Sequence, residues 1–341
     1  MSKTVTDGDE TAESYDQTSG SGNISAPAAC PQKRYAVNGV TMGTRYAAAF
    51  YAPAQLDVAP IETALRNAVG TVDDQMSTWK PESDLCRFNA APPGVWVEVP
   101  AELLAVVEAG LAIGMASGGA FDIGVGDAVN AWGFGPSGRV PDSQRILRAT
   151  AGPSLPASAT LEIDVAGGWL RKRAPVSLDL SGIAKGFGVD QLSGVLQRAG
   201  FQDHVVSIDG EIRAHGRKAD GTLWRVAVEQ PDRTARTVAR IVSLSDRAIA
   251  TSGDYRHRVE HEGGSVSHTV DPRTRRPVSN ALASVTVLAS TCCEADAWAT
   301  ALMVLGERHG PALAIRRNLD ALFLIREGRT MQEITTGRSW R

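Results

Sequence analysis

Val176-Ser177-Leu178-Asp179-Leu180-Ser181-Gly182-Ile183-Ala184-Lys185-Gly186 is the stretch on which the reading of the fold turns. Val176–Leu180 reads as a strand, Ser181-Gly182 as a turn, and Ile183 to Ala199 as a helix that stops at Gly200. Downstream, strands are expected at His204–Ile208 and Ile212–His215, split by Asp209-Gly210, then at Trp224–Val228, Ala239–Leu244 and Ala248–Thr251. Arg256–Glu260 and Val266–Val270 predict a hairpin around Gly263-Gly264. Ser284–Leu288 reads as a strand, Glu294–Leu305 and Pro311–Arg316 as helices, and Leu322–Ile325 with Met331–Ile334 as a closing hairpin. Upstream, Arg34–Val37 and Tyr46–Tyr51 read as strands joined at Met42-Gly43-Thr44. Ile61–Met76 and Ala101–Ala116 read as helices, and a third starts within Phe121–Val129. Residues 136–175 are rich in Pro, Gly and Ser and read as irregular, apart from a strand pair near Leu161–Asp164 and Leu170–Arg173. Strands outnumber helices and hairpins dominate, which predicts an α+β fold with antiparallel sheets and packed helices.

The bulk numbers allow a large core and little else. The chain has 341 residues, 43% hydrophobic and 21% charged, with 35 basic and 38 acidic side chains for a formal charge of −3. That balance provides no broad field for nucleic acid or an anionic membrane. No window reaches the length of a membrane helix. Cys30, Cys86, Cys292 and Cys293 show no two-residue gap of the zinc or thioredoxin kind, and adjacent cysteines fit disulfide geometry poorly, so they read as buried thiols. Residues 1–32 are polar and are expected to form a disordered tail, leaving 33–341 as the functional domain. Cys30 follows Ala-Pro-Ala-Ala, but the preceding stretch is polar rather than apolar, so no export signal is read and a cytoplasmic location is expected. A replaced or misassigned N-terminus would fit a periplasmic or membrane-associated location as well.

Five constellations could carry chemistry. Asp179-Leu180-Ser181-Gly182, with Lys185 in the first helical turn, resembles an anion site at a helix start, although Asp179 or Ser181 as a plain cap explains it too. Glu294-Ala295-Asp296-Ala297-Trp298-Ala299-Thr300 places Asp296 and Thr300 four apart on one helix face. A carboxylate and a hydroxyl suit a hard cation such as magnesium, whereas the plain alternative is an acidic first turn with Thr300 bonded to its own helix. His268, in Ser267-His268-Thr269-Val270-Asp271-Pro272-Arg273, is a candidate base or phosphate ligand, or a structural histidine. Ala250-Thr251-Ser252-Gly253-Asp254-Tyr255 is dense in hydroxyls and could line a ligand or simply turn. Trp79, after the first helix, could stack on a planar ring or anchor the core. Neither a dinucleotide fingerprint, a Walker loop nor a nucleophile elbow is present, which disfavours Rossmann-type cofactor binding.

Together these segments resemble the ApbE family of FAD:protein FMN transferases. The resemblance runs from about Tyr35 to the last strand. It is carried by Met42-Gly43-Thr44, Ser77-Thr78-Trp79 through Arg87-Phe88-Asn89, Phe121-Asp122-Ile123 through Trp132-Gly133-Phe134-Gly135-Pro136, and Leu178 through Gly186. Thr251 through Tyr255, Ser267 through Pro272 and Glu294 through Thr300 complete it. It implies a T-fold-like architecture and Mg²⁺-dependent transfer of FMN from FAD to a threonine or serine hydroxyl on an acceptor flavoprotein, with AMP leaving. Asp296 and Thr300 match the family's side-chain metal ligands, and Gly182 matches its backbone carbonyl ligand. Met42, Trp79, Ala120, Phe121, Asp122, Asp179, Lys185, His268 and Ala299 match positions lining the FAD site. His268 is assigned as the catalytic base.

Three positions depart from the family pattern. Trp79 stands where tyrosine is common, Asp209 replaces the first glycine of a Gly-Gly-Glu turn, and Arg275 replaces a glycine after Pro272-Arg273-Thr274. The same residues are compatible with two other functions. One is a Mg²⁺-dependent FAD pyrophosphatase, in which water replaces the acceptor hydroxyl. The other is a non-catalytic flavin carrier, against which Asp296, Thr300 and His268 count.

Overall fold

In the computed structural model, residues 32–340 are described except 137, 139, 153–154, 233–236, 255–257, 262–263 and 329. The expected N-terminal tail up to residue 31, Cys30 included, lies outside the described residues. Strands β1 (Gln32–Thr41) and β2 (Thr44–Pro53) form a hairpin closed by Met42 and Gly43, whose φ angles are 47° and 69°. Positive φ at both central positions matches the twist of the flanking strands. It also puts a methionine in a left-handed conformation that costs about 1 kcal/mol or more.

Helices α1 (Ala59–Met76) and α2 (Asp84–Ala90), strand β3 (Trp96–Glu98) and helix α3 (Ala101–Ala116) follow. A 3-10 turn at Ile123–Val125 leads into α4 (Gly126–Ala131), α5 (Ser143–Thr150) and α6 (Ala157–Thr160). Then come the hairpin β4 (Leu161–Asp164) and β5 (Trp169–Lys172) and the helix α7 (Ala184–Arg198). Strands β6 (His204–Ile208), β7 (Glu211–His215), β8 (Trp224–Glu229), β9 (Val238–Leu244) and β10 (Arg247–Gly253) form the middle of the chain. The short hairpins β11 (Arg258–His261) with β12 (Gly264–Ser267) and β13 (Val270–Asp271) with β14 (Arg276–Pro277) precede β15 (Leu282–Ala289). Helix α8 (Cys292–Arg316) and strands β16 (Asp320–Glu327) and β17 (Thr330–Thr336) end it.

One eight-stranded sheet, in the order β1-β2-β6-β7-β10-β15-β16-β17 and antiparallel at every pairing, organises these elements. The α+β reading with antiparallel sheet therefore holds. Helices α7 and α8 pack on one face of the sheet. The β8–β9 ribbon covers the other face, where Trp224, Val226 and Leu244 meet Ile249, Leu288 and Leu322. Strand β15 is sandwiched between these layers, which is why seven of its eight residues are buried. Val285 and Val287 point to the helices and Leu288 to the ribbon, as the two-residue period of a strand requires.

Several sequence expectations change. Residues 176–180 form no strand. Their backbone groups are taken elsewhere: the Asn89 side chain donates to Leu178 O and accepts from Leu178 N, at 2.9 and 2.8 Å. Gly126 N donates to Ser177 O and Asp179 N to Ile123 O. No ladder partner is left for the segment to pair with. Helices α2 and α5 were not read from the sequence, being only 7 and 8 residues long. Helix α3, whose sequence is apolar on most faces and predicts burial all round, buries only a stripe through Leu103, Val107 and Ile113, whereas Met115 on its other side is 67% exposed. The last two expected helices are one element interrupted at Gly306, whose φ of 75° breaks the helical path. Cys292 and Cys293 are buried as expected, but Cys86 is only partly so.

Candidate functional site

Helices α7 and α8 meet where the candidate ligands lie. Gly186, in the first turn of α7, sits so close to α8 that a Cβ there would strike the Cys292 carbonyl and stand 2.8 Å from Asp296 Cβ. That contact lets Gly186 N donate to Asp296 Oδ2 at 3.0 Å. Asp296 is buried, and burial raises its carboxyl pKa to about 7, with Glu211 adding to the rise and Lys185 opposing it. Its Oδ1 has no hydrogen-bond partner among the described residues. One turn on, Thr300 Oγ1 lies 3.1 Å from Ser252 Oγ of β10 rather than bonding to its own helix. Gly182 is packed against the same hydroxyl: a carbon added to it would lie 3.2 Å from Thr300 Oγ1 and 3.3 Å from Phe121 Cε2.

Asp296, Thr300, Gly182 and Phe121 are thus brought together from three distant parts of the chain. The plain reading of Asp296 and Thr300 as a self-contained helix start does not describe these contacts. Among the described residues, no group of three or more His, Cys, Asp or Glu side chains is placed to hold a metal. The donors here are of another kind, one carboxylate and one hydroxyl, with the Gly182 backbone packed against the hydroxyl. Such oxygen donors fit Mg²⁺, which usually takes one or two carboxylates and completes its shell with substrate phosphate and water.

Lys185 is partly buried, and its Nζ lies 3.1 Å from Glu211 Oε2 and 3.7 Å from Asp209 Oδ2. Burial alone would lower its pKa, but the charges of Glu211, Asp296 and Asp209 outweigh that and hold it above the usual lysine range. Lys185 is therefore a fixed cation. Glu211, itself buried, was not singled out from the sequence; the Asp209-Gly210-Glu211 turn was its only signal. Asp209 adopts φ 54° at the first position of that turn, so the aspartate takes a left-handed conformation where the family pattern has glycine.

A second group of candidate residues lines a cleft of about 370 Å³ between the end of α3 and α6. Phe121 and Asp122 form part of its wall, with Met115, Gly118 and Gly119. Burial pushes the Asp122 carboxyl above its ordinary value, even though the carboxylate accepts from Gly124 N at 2.7 Å and from Ala157 N at 3.1 Å. Ala120 and Ala299 are wholly buried and offer packing rather than exposed side chains. Asp179 Oδ1 accepts from Ser181 N at 2.8 Å, which shapes the turn leading to Gly182.

Other candidates occupy the periphery. Met42 reaches α7, its Cε lying 3.1 Å from where a Cβ on Gly188 would be. Trp79 is 57% exposed, so it is not a core anchor and presents a free indole surface. His268 is partly buried, and its ring meets Phe134 edge-on at 6.4 Å. The turn after it abuts the cleft segment, since a carbon on Gly119 would lie 4.0 Å from Arg273 Cγ. Arg275 in that turn has φ 55°. It donates to Ala149 O at 2.7 Å and accepts from Trp132 Nε1 at 2.9 Å, so the departure from glycine ties the turn to α5 and the end of α4.

Asp190 of α7, which no local sequence signal marked, anchors the start of α8. Its two oxygens accept from Cys292 N and Cys293 N, each at 2.9 Å, and Arg213 Nη1 donates to it at 2.5 Å. In the Thr251–Tyr255 motif, Thr251 bonds Thr286 across the sheet at 2.8 Å and buried Asp254 pairs with Arg326. Tyr255 lies outside the described residues.

The chain is similar to known flavin transferases in both sequence and fold. A FAD:protein FMN transferase of Vibrio cholerae is 38% identical over 301 residues, covering 87% of this chain and 89% of the relative. One of Haemophilus influenzae is 36% identical over 309 residues, covering 88% and 89%. Among solved structures, the flavin transferase ApbE from Vibrio cholerae superposes with a TM-score of 0.80 at 36% identity, covering 90% of this chain and 98% of that one. The apo flavinyl transferase ApbE of Pseudomonas stutzeri gives 0.80 at 38% identity, covering 89% and 95%. With the ApbE family pattern matching residues 42–323, the chain belongs to the ApbE family.

Proposed function

We propose that this protein transfers the FMN half of FAD to a threonine or serine hydroxyl of an acceptor flavoprotein, with Mg²⁺ at the pyrophosphate and AMP as the leaving group. The relatives' shared name supports flavin transfer from FAD to protein. The observation that carries the finer reading is the convergence of Gly182, Asp296 and Thr300, with Thr300 Oγ1 turned away from its own helix.

In this reading Asp296 Oδ1, Thr300 Oγ1 and the Gly182 carbonyl hold the cation. When bound, the metal neutralises the pyrophosphate and favours in-line displacement at phosphorus. Lys185, kept protonated by its acidic neighbours, adds a fixed positive charge. Trp79 offers a face for stacking, and the Phe121–Asp122 cleft takes another part of the dinucleotide. His268 accepts the proton of the acceptor hydroxyl as its oxygen bonds to the FMN-side phosphorus. The bond from that phosphorus to the bridging oxygen breaks, and AMP departs with the electron pair.

The test is to combine the protein with FAD, Mg²⁺ and an acceptor carrying a Ser/Thr-Gly-Ala-Thr type segment. Flavin fluorescence on the acceptor in a denaturing gel, together with released AMP, is expected. FMN and AMP without a labelled acceptor would point to a pyrophosphatase. Tight FAD binding without turnover would point to a carrier.

A further inference from the structure

Ser252 and Thr300 come from different layers of the fold, a strand and a helix, yet their hydroxyl oxygens lie 3.1 Å apart. The alternation of β10 puts them together. Ile249 faces the β8–β9 ribbon, and Thr251, of the same parity, bonds Thr286 across the sheet. Ala248 and Ser252 have the other parity, and Ala248 packs with Cys292 at the start of α8. Ser252 is therefore the hydroxyl of this strand that meets α8.

A hydroxyl that gives a lone pair to a cation must send its proton elsewhere. For a threonine within a helix the usual destination is the carbonyl one turn back. Thr300 has its partner in Ser252 instead. We infer that Ser252 is a positioning residue for the metal site: its Oγ accepts the Thr300 proton and fixes the Thr300 lone pair toward the cation. The inference rests on the metal reading given above and adds a residue that acts on the ligand rather than on the ion.

Calorimetric titration of Mg²⁺ into the full chain holding FAD tests this directly, with melting temperatures and FAD affinity in EDTA measured alongside. Ser252→Ala is expected to weaken Mg²⁺ binding roughly tenfold, the lower end of what loss of a ligand-orienting partner costs. Its melting temperature and metal-free FAD affinity should stay near wild type, and Ser252→Thr should retain most of the metal affinity. Should the alanine variant not fold, the near-isosteric pair Ser252→Thr and Ser252→Val makes the same comparison. Wild-type Mg²⁺ affinity in Ser252→Ala, with affinity lost in Asp296→Asn, would overturn the role of Ser252 alone. Unchanged affinity in both would overturn the metal reading and this inference with it. Equal losses of metal binding and metal-free FAD binding in Ser252→Ala would mark a packing role and also overturn it.

Discussion

Gly186 N donates to Asp296 Oδ2 at 3.0 Å, so the first turn of one helix holds the carboxylate of another in place. The approach depends on the missing side chain. In Gly186→Ala the new carbon would meet the Cys292 backbone, which cannot swing aside as a flexible side chain could. A destabilisation of about 2–3 kcal/mol is expected from overpacking. Mg²⁺ affinity should fall with it as α7 and α8 separate. Thermal unfolding and metal titration of the same variant check both; a wild-type melting curve would show that the helices can yield.

Removing the Asp190 carboxylate should cost more. Asp190→Ala leaves Arg213 without its partner and the first two N–H groups of α8 uncapped. The pair is partly buried, so the loss is expected near the lower end of the about 3–5 kcal/mol that breaking a buried pair costs. Urea unfolding should show this loss, and Asp190→Asn, which can still accept from one N–H, should lose less.

Stability should also depend on pH through His204. This histidine is wholly buried, and burial lowers its pKa to about 4, with His215 and Arg213 adding to the effect against the hydrogen bond to Phe201 O. The unfolded state, with an ordinary histidine pKa of about 6.5, binds more protons between the two values. Stability is therefore complete above about pH 6.5 and falls as pH drops toward about 4, by up to about 3 kcal/mol. Unfolding free energies across this range check the slope, and His204→Gln should flatten it.

His268→Ala should abolish transfer to the acceptor while leaving FAD affinity near wild type. Rapid single-turnover labelling separates the two quantities. Normal transfer by this variant removes His268 from the base role.

Trp79→Ala should weaken FAD binding by about 0.5–1.5 kcal/mol, the worth of an aromatic stack, or roughly 2- to 13-fold. Trp79→Tyr should restore most of it. Fluorescence titration with FAD measures both, and equal affinities for alanine and wild type would place the ring elsewhere than on the indole.

Much of the architecture was readable from residue patterns because long amphipathic stretches and hairpin turns are local signals. Helix α3 begins and ends where Ala101 and Ala116 suggested, and β6 matches His204–Ile208. Failures came where tertiary contacts decide. Residues 176–180 carry strand-like alternation, but Asn89, about ninety positions earlier, takes the backbone groups a neighbouring strand would need. The site shows the same division. Asp296 and Thr300 share a helix face by their spacing, but a plain acidic helix start explains that equally well, and only the family resemblance marks them as candidate ligands. Ser252 lay within a hydroxyl-rich motif that gave no reason to prefer it over Thr251, and the sequence holds no local trace of what Asp190 does.

The sheet order has a consequence for how the protein comes into being. Strand β2 pairs with β6, Tyr46 opposite Ile208, and the sheet continues through β10 to β15, so neighbours in space are often far apart along the chain. Such non-local pairings close slowly. In a chain leaving the ribosome, the contact between Gly186 of α7 and Asp296 of α8 forms only once α8 has been synthesised and docked. On the function proposed above, a chain cut short before α8 would carry the α3–α6 cleft without the side chains assigned to the cation.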